Sequence, residues 1–225
     1  VFGLTDLMKA AAQMIGSGGL GSAYKAVMAN GVAVVVKRAR DMNRATRVAF
    51  EAEMKRLGGI RHANLLPPLA YHYRKDEKLL VYEYIPKGNL LYVLHGDRSV
   101  DYAALDWPTR LKVTAGVARG AAFLHAELAA AGHDVPHGNL KSSNVLLDGT
   151  FQPALSDYAL VPVLTATHAA QVMMAYKAPE CVGSHGKPSR KSDVWSLGIL
   201  TLEVLTGKFP ACRQGRQGTN DLAGW

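Results

Sequence analysis

Six residues constrain this chain more than any others. Gly16-Ser17-Gly18-Gly19-Leu20-Gly21 fit the pattern G-x-G-x-x-G. Glycines let a backbone approach a phosphate with no Cβ in the way. The pattern is common, so its meaning depends on the element that comes next in the chain. A dinucleotide site needs strand, glycines and then a helix. Here the glycines lead into Ser22-Ala23-Tyr24-Lys25-Ala26-Val27-Met28, which reads as a second strand. Asn30-Gly31 comes next, a two-residue hairpin signal in which both turn positions need positive φ. The expectation is a hairpin with a flexible tip lying over phosphates.

The next run, residues 32–38, is β-branched and reads as a third strand. Alternation puts Ala33, Val35 and Lys37 on one face. A cation on an apolar face needs a partner or a ligand. Residues 43–57 then change to helical period, with Phe50, Met54 and Leu57 in one stripe and Gly58-Gly59 as the stop. Glu53 lies beside that stripe. The simplest resolution is a Lys37–Glu53 ion pair; the plainer one is two amphipathic side chains that reach solvent. Residues 71–84 read as two strands around a polar turn.

From Ile85 onward the pattern is mainly helical. Residues 105–128 form a long amphipathic stretch with Pro108 near its start. Residues 134–162 read as short strands and loops, and 192–207 as an apolar helix ending at a glycine. The switch predicts an α+β chain with a small β-rich lobe at 1–84, a helical lobe at 85–225 and a cleft between them. Polar residues gather at His137-Gly138-Asn139-Leu140-Lys141-Ser142-Ser143-Asn144 and again at Ser156-Asp157-Tyr158. Asn144 and Asp157 offer oxygen ligands suited to Mg²⁺, which is usually held by one or two protein oxygens plus phosphates.

Charge and composition narrow the classes. The 225 residues carry a formal net charge of +8, and residues 1–100 hold 15 lysines and arginines against 8 acids. The excess peaks between Lys37 and Arg61. Such a face suits a phosphate-rich ligand or an anionic membrane surface, or is simply solvated. No nucleic-acid recognition motif accompanies it. The chain shows neither a signal-peptide pattern at its start nor a run of about 18 apolar residues. Its two cysteines, Cys181 and Cys212, are too few for a disulfide framework and suggest a reducing compartment.

Taken in order, these motifs resemble a eukaryotic protein kinase domain. Within that family they are similar to the plant leucine-rich-repeat receptor-like kinases, the type that includes the pollen receptor kinases. The resemblance runs from the glycine loop through Lys37, Glu53, RHANLL (61–66), LLVYEYIPKGNL (79–90), GVARGAAFLH (116–125), HGNLKSSN (137–144), DYA (157–159) and APE (178–180) to SDVWSLG (192–198). It implies that Gly16, Ser17, Gly18, Gly19 and Gly21 cover ATP phosphates. Lys37 would contact those phosphates and be held by Glu53, while Asn144 and Asp157 ligate Mg²⁺. Ala23 and Val35 would roof the adenine and Leu146 would floor it. Tyr82 would be the gatekeeper, with Glu83 and Tyr84 as the hinge. His137 would sit in the core, Asp193 would anchor the catalytic loop, and Lys141 would support transfer. The resemblance also implies a larger receptor, with this domain at the cytoplasmic face of the plasma membrane. Its partners would be other receptor kinases or cytosolic signalling proteins.

The departures bear on activity. Asn139 stands where the family's catalytic Asp accepts the substrate proton, a step that typically contributes about 10²–10⁴-fold. Gly138 replaces the Arg that pairs with a phosphorylated loop. Ala159 replaces a Gly that needs positive φ. Between Asp157 and Glu180 the candidate phosphosites are Thr165, Thr167 and Tyr176. The pattern stops at Trp225, where the family continues with further helices and a late Arg for Glu180; stripping a buried pair of one partner costs about 3–5 kcal/mol, so marginal stability is expected. The leading expectation is a nucleotide-binding pseudokinase. A weakly active Ser/Thr kinase is the alternative, and a fragment with no stable function is the third.

Overall fold

The computed structural model describes residues 3–18, 20–39, 42, 45–75, 77–96, 105–164, 176–181 and 187–210. The architecture is α+β, in two compact units. One comprises residues 1–60, 66–84 and 163–168; the other comprises 61–65, 85–162 and 169–225.

The first unit opens with a short helix, α1 (Leu4–Lys9), which the strand-like pattern of the first residues did not announce. Its sheet is antiparallel and runs β1-β2-β3-β5-β4. The strands are β1 (Ala11–Gly18), β2 (Gly21–Val27), β3 (Ala33–Ala39), β4 (Ala70–Tyr73) and β5 (Lys78–Glu83). A bulge between Met14 and Gly16 shifts the β1 register ahead of the glycines.

The β2–β3 connection corrects the two-residue turn expected at Asn30-Gly31. Ladder pairing ends at Val27–Ala33, and Gly31 N donates to Met28 O at 2.9 Å. Gly31 alone has positive φ, +81°. This is the three-residue form, a tight turn closed by a left-handed residue, and glycine provides that residue at no steric cost.

Helix α2 spans Arg47–Gly59, so it starts later and ends later than the apolar period implied. The Thr46 hydroxyl accepts from Ala49 N at 3.3 Å and sets the start. The two glycines lie inside the last turn, and extended Ile60 ends the helix. Phe50, Met54 and Leu57 are buried, as the stripe predicts. Phe50 packs edge-on to Tyr71 and obliquely against Tyr73, with centroids 5.8 and 5.6 Å away. That cluster seats α2 on β4.

The second unit is helical around a small hairpin. It contains α3 (Leu90–His95), α4 (Trp107–Ala130), β6 (Val145–Leu147), β7 (Pro153–Leu155) and α5 (Arg190–Thr206). Asp106 caps α4 by accepting from Thr109 N at 2.9 Å, with Pro108 in the first turn. The α4 core stripe is Val113, Val117, Ala121, Leu124 and Leu128. Gly207, left-handed at φ +68°, ends α5. Among the described residues no helix is long and apolar enough to cross a membrane.

Candidate functional site

In the first unit the glycine strand and its neighbours build one face of the sheet. Ala23 pairs with Lys37, Lys25 with Val35, Val35 with Tyr82, and Lys37 with Leu80. Side chains alternate, so Ala23, Val35, Lys37 and Tyr82 share that face, with Ala23 and Val35 as diagonal neighbours. Glu83 alternates to the other face, and Tyr84 follows the end of β5. The Lys37 Nζ lies 5.1 Å over the Tyr82 ring, which is buried.

The loop itself is tight. Ser17 pairs with Ser22 and Gly18 with Gly21, so the strands run to within two residues of each other. Gly21 sits at φ +121°, and a Cβ there would overlap the Arg38 carbonyl oxygen. A side chain at Gly16 or Gly18 would meet nothing within 4 Å, which leaves that backbone open to an approaching ligand. Gly19 lies outside the described residues.

Glu53 is on α2. Both of its oxygens accept from Arg56, three residues along the helix: Nε at 3.1 Å to Oε2, and Nη2 to Oε1. The pair is mostly shielded, with side-chain exposures of 16% and 14%. On its own helix the Glu53 carboxylate is thus engaged by a cation one turn away, an i,i+3 pair.

The second unit gathers the polar loop residues around one acid. Asp193, on α5 and 1% exposed, accepts from His137 N at 2.6 Å, from Gly138 N at 2.9 Å and from His125 Nε2 at 2.7 Å. The loop is thereby hung from the helix. His137 Nδ1 accepts from Asn139 N at 3.2 Å, so the ring proton is on Nε2. Burial holds the His137 pKa below its usual value against the opposing pull of Asp193 and Asp157, and the ring is neutral.

Asn139 is 5% exposed, and its Oδ1 has no hydrogen-bond partner among the described residues. Its carbonyl accepts from Asn144 Nδ2 at 2.8 Å. That bond fixes the Asn144 amide and turns its Oδ1 the other way, which is the end a metal would use. The Asn144 carbonyl accepts from Ser156 N at 2.9 Å, tying the loop to the Asp157 segment. Asp157 and Ala159 both have left-handed backbones, at φ +57° and +55°. The Ala159 methyl thus occupies a conformation that costs an L-residue about 1–2 kcal/mol. Leu146 is half-buried on β6, bridged to Asn89, and Lys141 leads into the turn at Ser142–Asn144.

Gly138 has φ +70°, and a Cβ there would lie 2.5 Å from Val161 Cγ2. The backbone at this position has closed around the absence of a side chain.

A second buried cluster is not foreshadowed by any motif. Glu203 of α5 is fully buried and accepts from Tyr176 Oη at 2.7 Å, Ser142 Oγ at 2.9 Å and His95 Nε2 at 2.9 Å. Burial pushes its carboxyl above the ordinary range, against the pull of those three donors. A second acid, in the apolar C-terminal half of α5, was the available signal. The cluster corrects one expectation: Tyr176 is 4% exposed and its hydroxyl is committed, so a phosphate there would be buried against a carboxylate. Thr165 and Thr167 lie outside the described residues. A second correction concerns Glu180, which is exposed and hence solvated, so the penalty for a bare buried charge does not arise.

Residues 10–220 match the family model described as protein tyrosine and serine/threonine kinase. The chain is 59% identical to pollen receptor-like kinase 3 of Arabidopsis thaliana, over 100% of this chain and 35% of that protein. It is 53% identical to pollen receptor-like kinase 1 of Petunia integrifolia, over 93% of this chain and 28% of that one. It therefore spans about a third of the curated relatives it matches. Among solved structures it resembles the maize sucrose-induced receptor kinase 1 kinase domain bound to AMP-PNP, with TM-score 0.80, 32% identity and coverage of 92% of this chain and 73% of that one. It also resembles the pseudokinase domain of the immune regulator BIR2, with TM-score 0.74, 32% identity and coverage of 92% and 64%. With a family model matched over residues 10–220 and relatives more than 50% identical over nearly the whole chain, the chain belongs to the protein tyrosine and serine/threonine kinase family as a receptor-like kinase domain.

Proposed function

We infer that this domain is a nucleotide-binding pseudokinase that signals as part of a transmembrane receptor, with little or no phosphoryl transfer. The observation that carries the reading is Asn139. It occupies the base position with a buried amide whose Oδ1 can accept a hydrogen bond but not take up a proton at neutral pH. Gly138, with no room for a side chain, argues against control by a phosphorylated loop.

The residues fit Mg-ATP. The glycine strand would take the phosphates, Lys37 would sit against them, and Ala23, Val35, Tyr82, Glu83, Tyr84 and Leu146 would hold the base. Asn144 and Asp157 would hold magnesium. Among the described residues no cluster of three or more His, Cys, Asp or Glu could bind an ion unaided, which suits a metal that arrives with phosphates. In that state the ion would neutralise phosphate charge. The cationic first unit suits an anionic cytoplasmic leaflet, and other receptor kinases or cytosolic signalling proteins would be the partners.

A weakly active Ser/Thr kinase is the second reading. Phosphoryl transfer depends chiefly on positioning and charge stabilisation, and Lys37, Lys141, Asn144 and Asp157 remain for that. Thermal stabilisation by Mg-ATP and phosphate incorporation, measured for the wild type, Asn139→Asp and Asp157→Ala, separate the two. Binding without transfer supports the pseudokinase. Wild-type transfer that Asp157→Ala abolishes would overturn it, and absence of binding would remove both.

A further inference from the structure

The nucleotide face carries a second cation that has no role in the reading of Mg-ATP binding. Lys25 on β2 stands directly opposite Val35 on β3, and Val35 stands opposite Tyr82 on β5. Lys25 therefore shares its face with Ala23, Val35, Lys37 and Tyr82, the residues expected to meet the nucleotide. Each of the two lysines lies over a tyrosine ring. For Lys37 and Tyr82 the separation is 5.1 Å; for Lys25 and Tyr84 it is 4.0 Å. The second distance is well inside the ~6 Å over which a cation is held by a ring face.

Tyr84 lies one residue beyond Glu83, which with Val34 makes the last β3–β5 pair. The chain there has left the ladder, so side-chain packing must set the ring. Lys25 supplies it by reaching across from β2. We propose that Lys25 is a positioning residue for base recognition, acting through the Tyr84 ring to fix the chain where β5 ends. The proposal rests on the nucleotide-binding reading and adds a residue to it. A lysine that grips phosphate directly would behave differently, because its ammonium would have to leave the ring.

The test uses the whole chain and two ligands. Lys25→Met keeps the stem and removes the charge; Lys25→Arg keeps a cation that stacks on rings. Dissociation constants for adenosine and for Mg-ATP are measured by calorimetry. The expected result is an equal loss for both ligands in Lys25→Met, about 2–5-fold for a partly exposed cation–ring contact. Lys25→Arg should bind as the wild type does. Tyr84→Leu, which also takes the ring away from the base, should lose at least as much, and adding Lys25→Met to it should cost nothing more. Unchanged adenosine affinity in Lys25→Met, or losses that add in the double variant, would overturn the proposal while leaving nucleotide binding intact. A wild type that binds neither ligand would instead remove the nucleotide reading, and this proposal with it. A ligand-free readout separates the contact from the binding. The Lys25 ε-methylene protons should be shifted upfield by the Tyr84 ring current in NMR spectra and return to ordinary values in Tyr84→Leu; an unshifted signal in the wild type would refute the contact.

Discussion

Replacing Asp193 with Asn tests whether one acid organises the catalytic-type loop. The carboxylate accepts three hydrogen bonds, two of them from consecutive backbone N–H groups at His137 and Gly138. It is 1% exposed, so water cannot stand in for a lost partner. Asn retains one acceptor oxygen. If that oxygen takes the Oδ2 position, it serves His137 N and His125 Nε2. The amide nitrogen then faces Gly138 N–H, donor against donor. Losing a charge-assisted bond costs about 1.5–3 kcal/mol, and leaving a buried donor unsatisfied adds about 1–3. The sum, about 2.5–6 kcal/mol, is a large share of the stability of an ordinary domain. Urea unfolding of the two proteins measures it. Amide exchange at Gly138 supplies a local check, and should accelerate even where the variant stays folded at low temperature. A difference below about 1 kcal/mol, with Gly138 exchange unchanged, would refute the idea that Asp193 suspends the loop.

Two further outcomes concern the same unit. Gly138→Ala should destabilise by at least the ~1–2 kcal/mol of a left-handed L-residue, and adding Val161→Ala should recover the clash but not the backbone strain; urea midpoints of the three variants check this. Glu203→Gln should change the pH dependence of stability. Burial raises the Glu203 pKa in the folded state, so between its unfolded and folded values the native protein holds the extra proton and wild-type stability falls as pH rises. That decline, beginning near the ordinary glutamate value of about 4.3, should be absent from Glu203→Gln when both are unfolded across a pH series in urea. A decline of equal slope in both would assign it elsewhere.

The parts of this molecule that were legible in its sequence are those whose causes are local. Alternation along residues 32–38 placed Val35 and Lys37 on one face because a strand has a fixed period of two. The Phe50–Met54–Leu57 stripe, the Pro108 start and the terminal Gly207 depend on neighbours within a turn, and the structure has all of them. Local reading misplaced the ends and the turn where two nearby residues could meet the same need. Asn30-Gly31 fits a two-residue turn by composition, yet the ladder stops at Val27–Ala33 and only Gly31 takes positive φ. Glu53, beside a buried stripe, accepts on both oxygens from Arg56 one turn away, a local pair that the reading of the stripe did not supply. Long-range choices were not legible at all. Glu203 finds Ser142 across 61 residues and His95 across 108. A buried acid in an apolar helix states that partners exist; only the fold decides which. Lys25 is a further instance, an ordinary strand lysine by its neighbours in sequence. Its partner, Tyr84, is 59 positions away by number, and only the antiparallel order β2-β3-β5 brings the two to one face.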